Sequence, residues 1–167
     1  QLALTFADLR RYPQTMLFVG QVSVPRSNPD YVPLEVMNET LGGLFSSRIN
    51  LNLREHKGFT YGARTSFDFR RLPGPFALQV SVQTGATAEA IRESIDEIAG
   101  LRGVRPVSAE ELSTGVAALT RGYARNFETA EQIARAVTQL ALYDLPERYF
   151  DEFVDRVACG GQQTALP

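Results

Sequence analysis

A chain of 167 residues with a formal net charge of −2 and 44% hydrophobic residues is long enough to bury one core of its own. The slight acidity excludes nucleic acid as a main partner, and no apolar run approaches the roughly 20 residues of a membrane span. Cys159 is the one cysteine, which excludes an internal disulfide framework and leaves bacterial cytoplasm and periplasm both open as compartments. Sixteen of the seventeen basic residues are Arg, with Lys57 the exception; their dispersal reads as a GC-rich bacterial genome rather than a binding patch. The first residue is Gln1 rather than Met, so a segment of a longer polypeptide is expected.

Residues 1–13 carry no firm signal. TMLFVGQVSV, Thr15 to Val24, is nearly continuous and apolar and predicts a strand buried on both faces. PRSNPD then predicts a loop and a helix start, with Asn28 as N-cap and Pro29 at the first helical position. Leu34, Met37 and Leu41 mark that helix's inner face, and Gly42-Gly43 ends it. A second helix follows at once, with Phe45, Ile49 and Leu53 spaced to share a buried face. Arg54 complements its negative end, and Gly58 supplies a left-handed stop. Residues 59–69 alternate, with Phe59, Tyr61, Ala63, Phe67 and Phe69 on one side. After the RRLPGP turn, Phe76, Leu78, Val80 and Val82 repeat the period, which predicts an antiparallel hairpin.

The remainder reads as helical. Ile91, Ile95 and Ile98 line a helix from about Thr87 to Leu101. Ser108-x-x-Glu111 is a capping box before Leu112, Val116, Leu119 and Tyr123, and Thr129-x-x-Gln132 is another before Ile133, Val137 and Leu140. A last helix after Pro146 carries Phe150, Phe153 and Val157. The order β-α-α-β-β-α-α-α-α predicts an α+β fold, a mainly antiparallel sheet with helices packed on one face. One domain over 1–158 and a loose tail over 159–167 complete the expected organisation.

LGG-x-x-SSR (from Leu41) followed by LRE-x-x-G-x-x-Y (from Leu53) resembles the C-terminal-type, inactive domain of the pitrilysin/insulinase (M16) zinc metallopeptidases. PRSNPDY, GPFALQVSVQTG and VSAEEL extend the resemblance over most of residues 13–158. The family includes the mitochondrial processing peptidases and the non-catalytic core subunits of the respiratory bc1 complex. The resemblance implies a non-catalytic, substrate-binding half. Its partners would be a homologous half bearing HxxEH, in the same polypeptide or a separate subunit, and a peptide substrate. It also implies that Arg54 and Tyr61 contact the peptide backbone, and that relatives hold peptides as an added strand on a sheet edge. The alternative is a non-catalytic assembly domain like the respiratory core subunits.

The family's zinc site needs two His four residues apart, a Glu beside one, and a distant Glu. His56 is the only histidine, so no catalytic residue and no metal ligand is expected here. Any zinc cofactor would belong to the partner half. Glu110-Glu111 and Asp96-Glu97 read as helix caps and solvent-facing charges, His56 as a helix-end residue, and Arg48 as architectural. On residue chemistry alone, Tyr61 would be a core aromatic and Arg54 a helix-end charge. With the resemblance, Arg offers planar donors for a peptide carbonyl, and the Tyr hydroxyl a donor for the scissile carbonyl.

Overall fold

The computed structural model of the chain describes residues 3–5 and 13–163. Strand β1 is Ala3–Thr5, β2 Gln14–Val22, β3 Ala63–Phe67 and β4 Pro75–Gln83. They form one sheet in the order β1-β2-β4-β3 with every pair antiparallel. The expected β3–β4 hairpin is present, with Ala63 opposite Val80 and Phe67 opposite Phe76. β2 is the strand that β4 pairs with on its other side, Leu17 facing Val80 and Val19 facing Leu78.

β2 departs from the expectation of burial on both faces. Leu17 and Val19 are buried, but Met16 and Phe18, between and beside them, are about half exposed. The physical reason is that the helices pack on one side only, so alternate residues of every strand reach the open face. The packed side is the first core, where Leu17, Val19, Leu78, Val80 and Val82 meet Leu41, Ile49, Leu53 and Ala90 from the helices.

Helix α1 is Tyr31–Asn38 and α2 begins at Arg48–Asn50; each continues into a wider π-type turn, Glu39–Gly43 and Leu51–His56 respectively. Asn28 does not cap α1. Its Oδ1 accepts from the Asp30 backbone N at 2.8 Å, an Asx turn that places Asp30 at the cap instead. Gly42 lets α1 approach the sheet: a Cβ there would lie 2.7 Å from both the backbone nitrogen and Cγ2 of Thr65. Gly58, at φ +65°, gives the left-handed reversal after α2, donating from its N to the Arg54 carbonyl at 3.2 Å.

Helix α3 spans Thr87–Leu101, the bounds the periodicity predicts, α4 Ala109–Thr120 and α5 Ala130–Tyr143. Both capping boxes form in full, Ser108 with Glu111 and Thr129 with Gln132. Helix α6, Phe153–Gln163, runs past Val157 through residues 159–163, which were expected in a loose tail; residues 164–167 lie outside the described ones. A second core sits among the helices. Val36, Tyr149, Phe153 and Val157 are its buried members, with Leu112, Val116, Leu119, Tyr123 and Leu140 packed around them. Ile95, Ile133 and Val137, expected inside, are exposed by 39%, 49% and 58%. A periodic apolar face shows which side of a helix prefers burial, not whether a neighbour covers it. Among the described residues, no helix is long and apolar enough to cross a membrane.

Candidate functional site

The α2–β3 junction is held together by one asparagine. Asn50, buried in α2, accepts from the Ala63 backbone N through Oδ1 at 2.8 Å and donates through Nδ2 to the Ala63 carbonyl at 2.8 Å. It thus pairs with β3 as a neighbouring strand would. Two residues on, Asn38 donates to the Thr65 carbonyl at 3.3 Å and accepts from the Thr65 hydroxyl at 2.8 Å. The outer edge of β3 is therefore occupied at Ala63 and Thr65, and a peptide cannot add there as a strand without displacing both asparagines.

β3 starts only at Ala63, so Tyr61 is not a strand residue. Thr60 Oγ1 donates to the Gly62 carbonyl at 2.9 Å and accepts from the Gly62 N at 3.1 Å, closing a small turn around Tyr61. The ring stands 91% exposed, the opposite of the core aromatic that alternation suggests. Phe59 still packs against the first core, with its N donating to the Leu53 carbonyl at 2.9 Å.

Phe45 corrects a second expectation. It precedes α2, where Ser47 is the N-cap, and is 68% exposed, while Ile49 and Leu53 hold the buried face. The Arg54 guanidinium carbon lies 3.2 Å from the Phe45 ring centroid, a close cation–π stack. Arg54 also pairs with Glu55, and its Nε is buried without a partner.

Phe45 and Tyr61 line one groove of 510 Å³. Its floor is the open sheet face, with Met16 of β2, Arg64 of β3, and Gln79 and Ser81 of β4; Gly42, Gly43 and Leu44 form one wall. Among the described residues that line it, Arg64 is the only charged one. Arg54 is not in the lining; it reaches the groove through Phe45. Of the two sequence-predicted residues, Tyr61 lines the groove and Arg54 stacks on Phe45, another lining residue. Phe45 and Arg64 are lining residues that the sequence does not mark as site residues. The one signal for Phe45 was its position three residues before Arg48 and the start of α2, too early to share that helix's buried side.

The described residues offer no donor set that fits a zinc ion. His56 is exposed, and the carboxylates near it are engaged: Lys57 Nζ lies 2.9 Å from Glu89 and 2.8 Å from Glu93. No group of three or more His, Cys, Asp or Glu among the described residues is placed to share an ion. Glu97, expected in solvent, is 5% exposed. It accepts from Asn52 at 2.8 Å and pairs with Arg105 at 3.1 Å. Arg48 is architectural as expected: it forks onto Glu111 at 2.5 and 2.6 Å and donates to the Arg105 and Pro106 carbonyls.

A family model described as the peptidase M16 inactive domain matches residues 4–119. No curated protein matches significantly. Among solved structures, the peptidase M16 inactive domain from Pseudomonas fluorescens superposes with a TM-score of 0.80 at 23% identity, over 92% of this chain and 37% of that one. The zinc-protease candidate from Bordetella pertussis Tohama I gives 0.73 at 20%, over 99% and 91%. The periplasmic protease PqqL from Escherichia coli gives 0.68 at 17%, over 92% and 18%. At these identities the likenesses show the fold, and the chain spans little more than a third of the Pseudomonas relative. The family match covers more than half of the chain and includes the α1–α2–β3 junction that shapes the groove; the chain belongs to the peptidase M16 inactive-domain family.

Proposed function

We propose that this chain is the substrate-holding, non-catalytic half of an M16 zinc peptidase, working with a homologous half that carries HxxEH and the metal. The observation that carries this reading is the exposure of Tyr61 at the mouth of a groove whose other aromatic, Phe45, bears the Arg54 guanidinium. A Tyr ring at 91% exposure contributes almost nothing to folding by burial, so its place is better accounted for by a ligand. In the proposed complex an extended peptide crosses the open sheet face. Phe45 and Met16 receive apolar side chains, and the Tyr61 hydroxyl donates to a peptide carbonyl. Arg54 acts on the peptide through Phe45, whose ring its guanidinium fixes.

Tyr61→Phe removes one hydroxyl from an exposed site. In the complete two-half enzyme it is expected to leave Tm unchanged and lower kcat/KM by on the order of 100-fold, the typical loss of one transition-state donor. Full activity in Tyr61→Phe sinks the assignment. An inactive wild-type pairing with every HxxEH-bearing half of the same genome favours the assembly-domain reading instead.

A further inference from the structure

A second cavity, 400 Å³ in volume, lies among the helices away from the groove and is bounded by Arg26, Tyr31, Tyr123, Arg135, Tyr149 and Phe153, among others. Arg26 is its distinctive member. It is 7% exposed, its guanidinium carbon is 3.5 Å from the Tyr31 ring centroid and 4.9 Å from that of Tyr149, and Nη2 donates to the Tyr149 hydroxyl at 2.5 Å. No carboxylate pairs with it among the described residues. A buried cation without a counter-ion is costly, and cation–π stacking offsets only part of that.

The nearby acid does not supply the missing charge in full. Glu35 feels Arg26, but burial and the neighbouring Glu39 push its carboxyl up to about 7, so it is only about half ionised at neutral pH. Among the described residues no Asp or Glu lines the cavity; Arg135 at the α5 rim is already paired with Glu131 at 2.7 Å, and Asp151 lies near enough to Tyr123 to act on its hydroxyl. The Tyr123 hydroxyl, also in the lining, is buried and has no hydrogen-bond partner, an uncommon state for a buried polar group. An under-neutralised guanidinium, an unpaired hydroxyl and aromatic walls share one space, whose volume falls in the range of small-molecule sites.

We propose that this cavity binds a small carboxylate with an aromatic or aliphatic body. The carboxylate accepts from Arg26 and the Tyr123 hydroxyl, and its body packs against the aromatic side chains of the lining, Phe153 among them. A carboxylate rather than a phosphate suits a site with one fully buried cation, because the second charge of a dianion would stand there without a counter-ion. The inference does not depend on the peptide groove.

Benzoate, its neutral isostere benzamide, and phenyl phosphate test it, titrated into the 167-residue chain and followed by tyrosine fluorescence and Tm. Tryptophan is absent from the sequence, so tyrosine dominates the emission. Benzoate is expected to give a saturable change and a higher Tm, and benzamide neither. Tyr123→Phe should weaken benzoate by about tenfold, the value of one charge-assisted hydrogen bond, without lowering the Tm of the free protein, whereas Arg135→Gln, at an exposed rim position that donates nothing to the carboxylate, should leave the affinity unchanged. Equal binding of benzamide, tighter binding of phenyl phosphate, no saturable response to benzoate, or unchanged affinity in Tyr123→Phe would each overturn the proposal.

Discussion

Glu111 holds three donors at once: Arg48 Nε at 2.5 Å, Arg48 Nη2 at 2.6 Å and the Ser108 backbone N at 2.8 Å. The Arg48 hydrogen bonds, ahead of the cap, lower its carboxyl to about 2. A folded value below the unfolded one stabilises the protein above the ordinary carboxylate pKa, and that share is lost as pH falls toward 2. Glu111→Gln should therefore cost about 2 kcal/mol at pH 7, and the gap from the parent should close on acid titration of urea midpoints. Glu35 has the opposite sign. Burial, then Glu39, raises it to about 7, so the native state holds more protons than the unfolded one between about pH 4.5 and 7, and stability falls with rising pH through that window. Glu35→Gln is expected to stabilise the protein at pH 8 and to lose that advantage below pH 5; a variant no more stable than the parent at pH 8 contradicts it.

At the scale of elements, the α2–β3 junction depends on a side chain acting as backbone. Asn50→Ala strands the Ala63 N–H and C=O in a buried position, which should cost about 2–3 kcal/mol. Asn50→Asp keeps the acceptor for Ala63 N but turns oxygen toward the Ala63 and Leu44 carbonyls now bonded by Nδ2, so it should not rescue. Denaturant unfolding of both variants checks this, and wild-type stability in either removes the role assigned to Asn50. The same elements show what was readable. The bounds of α3 and both capping boxes follow from local rules, because an N-cap and its N3 partner satisfy each other without outside help. Phe45 and Tyr61 were misplaced because their settings are decided by non-local bonds, from Arg54 to the first and through the Asn50 clamp beyond the second.

For the whole molecule, one sheet face and one helix face remain uncovered. Met16, Phe18 and Val22 are exposed on β2, and Ile133 and Val137 on α5; Tyr123, Phe127 and Phe150 border the latter pair in a shallow groove. Apolar surface of this extent favours association. The isolated chain is expected to shift to earlier elution as its concentration rises, and, on the proposed function, adding an HxxEH-bearing half should suppress that shift. Strictly monomeric elution throughout counts against the forecast.

Local chemistry alone determined much of this protein: the capping boxes, the left-handed stop at Gly58, the hairpin alternation, the antiparallel α+β class and the family. These are properties of neighbouring residues, or of a motif short enough to be read along the chain. Tertiary structure alone decided which face of β2 would stay open, that Asn38 and Asn50 would occupy the β3 edge, that Arg54 would stack on Phe45 while Tyr61 stands exposed, and that Arg26 would lie buried with no carboxylate paired to it among the described residues. Each of these depends on residues brought together from distant parts of the chain. The periodicity of a segment records its preference for burial, and only packing determines whether that preference is met.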